Sequence, residues 1–127
     1  MVSIYTNDEY KCLRKEYMCT VNYCGLTFKN VEAAWQAQKC MYEHYKRKFT
    51  RLSAEEAVKE SKDVDVRYDW NDVKYSELVR ILLARFNNDS SSARVLMSTG
   101  RDLIVADKKN KKNTMFAKAL MEVRKLL

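Results

Sequence analysis

The stretch Val31-Glu-Ala-Ala-Trp-Gln-Ala-Gln-Lys39 constrains this chain more than any other. Helical spacing puts Glu32, Gln36 and Lys39 on one face, at i, i+4 and i+7. The other side carries Ala34, Ala37 and Met41, small or adaptable groups that let a second element approach closely. Pattern alone leaves two readings open. The trio is either a sheltered cluster, where ionisable groups acquire chemistry, or a solvated Glu–Lys pair worth about 0.2–0.5 kcal/mol.

Asn30 is placed to cap this helix, and the recurrence of Trp35, Tyr42 and Phe49 extends the expected element to about Phe49. Residues up to about Phe28 read as short strands. Within them, alternating β-formers over 18–23, a Cys24-Gly25 turn and Leu26-Thr-Phe28 predict a hairpin. Ser53-Ala-Glu-Glu56 is a capping box and predicts a short helix to about Glu60. Residues 63–70 read as a connector with some strand character. A helix over about 71–87 follows, with Val73, Leu78, Val79, Leu82, Leu83 and Phe86 facing inward. Asp89 or Ser90 caps another helix, which Gly100 ends. Leu103-Ile-Val105 reads as one buried strand, and Met115, Ala119, Leu120, Val123 and Leu127 recur at helical spacing. The chain has no proline, no Ser/Gly-rich linker and no fixed repeat, so residues 1–127 are expected to form one domain. The expected class is α+β, mainly helical with a small β-sheet.

No apolar run is long enough to span a membrane, and Asp8, Glu9 and Lys11 interrupt the only stretch resembling a secretory signal. A cytoplasmic protein is expected. Cys12, Cys19, Cys24 and Cys40 show neither a C-x-x-C pair nor zinc spacing, so no metal is expected and each reads as a small buried hydrophobe. The single histidine, His44, lies in a strongly charged stretch and reads as a surface residue, not the base of a Ser-His or Cys-His pair. Two glycines cannot build a phosphate-cradling loop or a dinucleotide fingerprint, and no cofactor is expected.

The net charge of +7 attracts phosphates, nucleotides or nucleic acid without naming one. Lys46-Arg-Lys48 with Arg51 is read as a solvated surface. For Lys108, Lys109, Lys111 and Lys112, a solvated loop and contact with a DNA phosphate backbone remain equal alternatives.

Several collinear stretches resemble one family. Tyr10-Lys-Cys-Leu13, Val21-Asn-Tyr-Cys-Gly-Leu-Thr-Phe28 and Val31-Glu32 to Gln36-Ala-Gln-Lys39 are similar to the opening block of the NADAR, or YbiA-like, N-glycosidases. Arg67-Tyr-Asp-Trp70, Ala84-Arg-Phe86, Leu96-Met-Ser-Thr-Gly100 and Ala119-Leu-Met-Glu-Val-Arg124 resemble its later landmarks, in order and across nearly the whole chain. The resemblance implies hydrolysis of an N-glycosidic bond at the anomeric carbon of a ribose. The substrate would be ADP-ribose on a guanine base in DNA, or a phosphorylated ribosylamino-pyrimidine intermediate of riboflavin synthesis. Glu32 and Lys39 would be catalytic, with Gln36, Trp70, Arg67, Asp107 and Asn113 contacting substrate. Arg85 is a further phosphate ligand on this reading, because guanidinium forks match phosphate oxygens.

The chain also departs from the family pattern. Leu13-Arg14-Lys15 replaces Leu-Ser-Asn, and the expected acid falls at Ala106 with Asp107 as its near substitute. The Trp-Gly segment before the last helix is missing, and residues 107–114 bridge the gap with lysines. A divergent member is therefore implied. Its alternative is a catalytically impaired domain of this fold that binds ADP-ribose-like ligands or nucleic acid.

Overall fold

Side-chain caps mark the starts of four of the six described helices, those beginning at Glu43 and Trp70 being the exceptions. In the computed structural model, which describes residues 1–106 and 114–127, the described helices are α1 Val31–Gln38, α2 Glu43–Lys46, α3 Ala54–Glu60, α4 Trp70–Asn87, α5 Ser90–Ser98 and α6 Met115–Leu126. Asn30 Oδ1 accepts the Ala33 N–H at 2.7 Å, and Asp89 Oδ1 accepts that of Ser92 at 3.1 Å. Ser53 and Glu56 close the expected capping box in both directions. Each such cap satisfies backbone donors the helix itself leaves orphaned, a contribution of about 1 kcal/mol.

The strands are β1 Val2–Ser3, β2 Val21–Tyr23, β3 Leu26–Phe28 and β4 Ile104–Val105. β2 and β3 pair antiparallel, Val21 opposite Phe28, across the expected two-residue turn. Cys24 and Gly25 have φ of 50° and 82°, and two positive values in succession mark the primed turn whose twist matches a hairpin. β1 pairs parallel with β4, Val2 with Ile104, so residues 2–3 and the last described strand lie side by side.

Two expectations on the elements fail. Residues Asp8–Leu13 form a 3-10 helix and not a strand, because Asn7 caps the turn by accepting the Glu9 N–H. The helix from Asn30 also stops at Gln38. Met41 N–H donates to Asp65 O at 2.8 Å, and Arg67 N–H to Lys39 O at 3.0 Å, flanking a bridge between Cys40 and Val66. These tertiary bonds replace the next helical turn, and no glycine or proline announces the break. Met41 consequently points outward, 46% exposed, instead of joining the alanine face.

That face does what its small side chains permit: Ala33, Ala34 and Ala37 are fully buried where α1 packs on α3 and α4. They belong to one apolar cluster with Phe28, Phe49, Leu78, Ile81, Leu82, Phe86 and Leu120. Of the four cysteines expected to be buried, Cys40 is, Cys12 and Cys19 are half-buried, and Cys24 is exposed on the hairpin turn, so the expectation fails there. Leu103 is also exposed, and the buried strand is Ile104–Val105. Among the described residues no helix is long and apolar enough to cross a membrane.

Candidate functional site

Glu32 occupies the first turn of α1 and is only 3% exposed, so the sheltered reading of its face holds for the acid. Its backbone N–H donates to Lys15 O at 3.0 Å, which lays the segment around Lys15 across the start of the helix. Gln36 Nε2 donates to Glu32 Oε1 at 3.4 Å, as i, i+4 spacing requires. Lys15 Nζ lies 3.8 Å from the same oxygen. The other oxygen, Oε2, is buried without a hydrogen-bond partner among the described residues. Burial pushes the Glu32 carboxyl above its ordinary value, and the charge of Lys15 and the Gln36 amide pull it partly back.

Lys39 closes α1 in helical conformation, with φ −66° and ψ −25°, so the i, i+7 face persists to its last member. Its side chain is half-buried and makes no ion pair among the described residues, Glu32 included. The amine beside the acid is instead Lys15, which sequence reasoning missed as a site residue. The signal was present in Leu13-Arg14-Lys15, where the pattern the sequence resembles has Leu-Ser-Asn. Tyr5 and Glu16 complete these surroundings. Tyr5 OH donates to Glu16 Oε2 at 2.8 Å, and burial, then Glu16 and Glu32, hold the phenol strongly in its neutral form.

The Trp70 ring lies 5.9 Å from that of Trp35 at 45°, and Trp35 Nε1 donates to Lys74 O at 2.9 Å. The two indoles tie α1 to the first turns of α4. Arg67 joins Lys39 through the backbone, and its fork grips Asp69 at 2.6 and 2.9 Å. Asp69 raises the Arg67 guanidinium and is itself held below the usual carboxylate range by it. Arg85 is not available to a phosphate: it is 1% exposed and donates to Cys12 O, Ser92 Oγ and Cys19 Sγ inside the core. Asp107, Asn113, Lys108, Lys109, Lys111 and Lys112 lie outside the described residues. Glu32, Gln36 and Lys39 line none of four open hollows formed by described residues.

The chain is thus a mainly helical α+β protein that buries an acid at the head of a short alanine-rich helix. Its fold is YbiA-like: the NMR structure of the E. coli protein YbiA superposes with a TM-score of 0.85 at 24% identity, over 98% of this chain and 83% of that one. No family model and no curated protein matches the sequence.

Proposed function

We propose that this protein is an N-glycosidase that hydrolyses the base–ribose bond of an ADP-ribosyl or phosphoribosyl conjugate, either ADP-ribosylated guanine in DNA or a ribosylamino-pyrimidine phosphate. The observation that carries this reading is Glu32: a buried carboxyl with one oxygen unpartnered among the described residues, shifted toward its protonated form and next to an amine. A carboxyl raised by burial holds its proton to higher pH than an ordinary glutamate, which suits it to protonate a departing base nitrogen. The YbiA-like fold and the NADAR-like strings around Glu32 and Lys39 support the same chemistry.

In the route favoured here, the Lys39 Nζ lone pair attacks the anomeric carbon. The bond from that carbon to the base breaks, and the base leaves with a proton from Glu32. Opening of the sugar ring gives an imine on Lys39 as its nitrogen loses protons to the Glu32 carboxylate and the ring oxygen. Water then adds to the imine carbon, the C–N bond to lysine breaks, and the sugar departs as its aldehyde. In a second route Glu32 activates water directly and Lys39 stabilises charge. Gln36 would orient ribose hydroxyls in either route, with Trp70 and Arg67 beside the base and phosphate.

The test is base release from a DNA oligonucleotide carrying ADP-ribosylated guanine, and from the pyrimidine conjugate, with borohydride added in parallel. Release with a trapped adduct on Lys39 supports the imine route, and release without an adduct supports direct water attack. Glu32→Gln and Lys39→Ala should each lower the rate at least a hundredfold, the scale of a general acid. Tight binding with no release from either conjugate would overturn the enzyme reading in favour of a binding domain.

A further inference from the structure

Residues 42–51 carry four cations, Lys46, Arg47, Lys48 and Arg51, against one carboxylate, Glu43. The structure sorts them. Lys46 pairs with Glu43 at 3.2 Å, and Lys48 approaches Glu60 at 3.9 Å. Arg47 and Arg51 are exposed and make no ion pair among the described residues. Both line an open hollow of about 580 Å³ with His44, Lys48, Thr50, Leu26 and Leu52, and no carboxylate is among these lining residues. That size falls in the range of ligand clefts, roughly 300–1,000 Å³.

Beside the hollow, three rings form a continuous group. His44 lies 5.9 Å from Tyr42 at 25° and 4.4 Å from Tyr45 at 34°. Lys48 Nζ sits over the Tyr45 ring at 5.3 Å from its centroid. Tyr42 is 47% exposed and His44 is exposed as well, so the outer part of this ring group is open to solvent. The break after α1 creates this arrangement. A continuous helix would scatter positions 42, 44, 45 and 47 around its circumference, whereas the extended Tyr42 and the short turns after it gather them.

We propose that residues 42–51 form a docking surface for single-stranded nucleic acid, with Tyr42 and His44 stacking on bases and Arg47 and Arg51 holding consecutive phosphates. Unpaired cations alone would attract any polyanion. Exposed aromatic side chains next to them select a strand whose bases are free to stack, which a duplex does not offer. Neither Glu32 nor Lys39 is among the residues lining this hollow, and the proposal does not rest on the glycosidase reading.

Fluorescence anisotropy of a labelled thymidine 12-mer, titrated with the full chain at several salt concentrations, tests this. Binding should weaken linearly in log[salt], at about 0.7 per phosphate contact for a single strand. Arg47→Ala with Arg51→Ala should flatten that slope by about 1.4. Tyr42→Ala with His44→Ala should weaken single-strand binding about tenfold, the scale of one lost stacked base, and leave duplex binding unchanged. Amide shifts in the unsubstituted protein on adding the 12-mer should concentrate in 42–51. Unchanged affinity in either double variant, equal loss on duplex, or shifts confined to other segments would each overturn the proposal.

Discussion

Lys15 holds Glu32 twice: its carbonyl accepts the Glu32 N–H at 3.0 Å, and its Nζ stands 3.8 Å from Oε1. The same residue therefore fixes where the acid sits and opposes the effect of burial on its protonation. Lys15→Met keeps the backbone contact and removes the charge. Without that cation, desolvation acts with less opposition and the carboxyl titrates at higher pH. Carboxyl carbon NMR of Glu32 in parent and variant reads this directly, and an unmoved midpoint would show that solvent screens the pair. If Glu32 delivers a proton in catalysis, the basic limb of the rate profile should move upward by the same amount.

A carboxyl raised by folding also has a stability signature of known sign. The folded state holds the extra proton above the ordinary value of 4.5, so it binds more protons than the unfolded chain and loses stability as pH rises through the folded value. Glu32→Gln is neutral throughout and escapes that loss. Its melting temperature should gain on the parent as pH is raised from 4.5 toward 8, at roughly 4 °C per kcal/mol for a domain of this size. A parent that gains on the variant over that interval would contradict the burial seen for Glu32.

The helix starts were legible because they are written locally. Asn30, Ser53 and Asp89 each cap their own helix through an oxygen a few atoms away, and the hairpin follows from Cys24-Gly25. The break after Gln38 was not legible, because the bonds that cause it come from residues 65–67, far along the chain. In the site, the spacing of Glu32 and Gln36 placed them in contact correctly, while Lys15 comes from another segment and no helical period could find it. Arg85 misled for a related reason: composition favours a surface position for arginine, and its burial depends on carbonyl, hydroxyl and thiol partners from three segments.

The contact between Trp70 and Trp35 predicts a structural loss on substitution whatever the ligand does. Trp70→Ala removes an aromatic pair worth about 0.5–1.5 kcal/mol beyond its buried area. Because Trp70 is half-buried, the total should reach about 2 kcal/mol, under the 3–5 of a fully buried indole. Trp70→Phe should retain most of it. Urea unfolding gives these values, and a loss under about 0.5 kcal/mol for the alanine variant would mean the rings stabilise nothing.

Arg67 is already engaged, so a phosphate must compete with Asp69 for its fork. Both side chains are about 30% exposed, and a pair so placed contributes about 0–1 kcal/mol to folding. Asp69→Asn should therefore leave the melting temperature nearly unchanged while tightening the binding of ADP-ribose severalfold, as measured by calorimetry. Weaker binding would show that Asp69 positions the guanidinium for the ligand instead of withholding it.

Arg85 presents the opposite case, a charge the fold cannot release. Its Nη2 donates to Cys12 O at 2.8 Å and Ser92 Oγ at 3.3 Å, and the guanidinium carbon lies 4.7 Å from the centre of the Phe86 ring. Asp89, which caps α5 through Ser92, stands 3.9 Å from the same Nη2. One side chain thus joins the segment around Cys12, α4 and the start of α5. Arg85→Met matches its length without its donors, and leaves the Cys12 carbonyl, the Ser92 hydroxyl and the Asp89 carboxylate without that partner. Asp89 is about a third exposed and keeps water, so the cost is that of the lost charge-assisted hydrogen bonds, about 1.5–3 kcal/mol, a sizeable part of the stability of a domain this size. Guanidinium chloride unfolding of Arg85→Met should show that drop in midpoint, and added phosphate should not restore it. A variant that unfolds within about 1 kcal/mol of the parent, or that phosphate rescues, would return Arg85 to the role of an anion ligand.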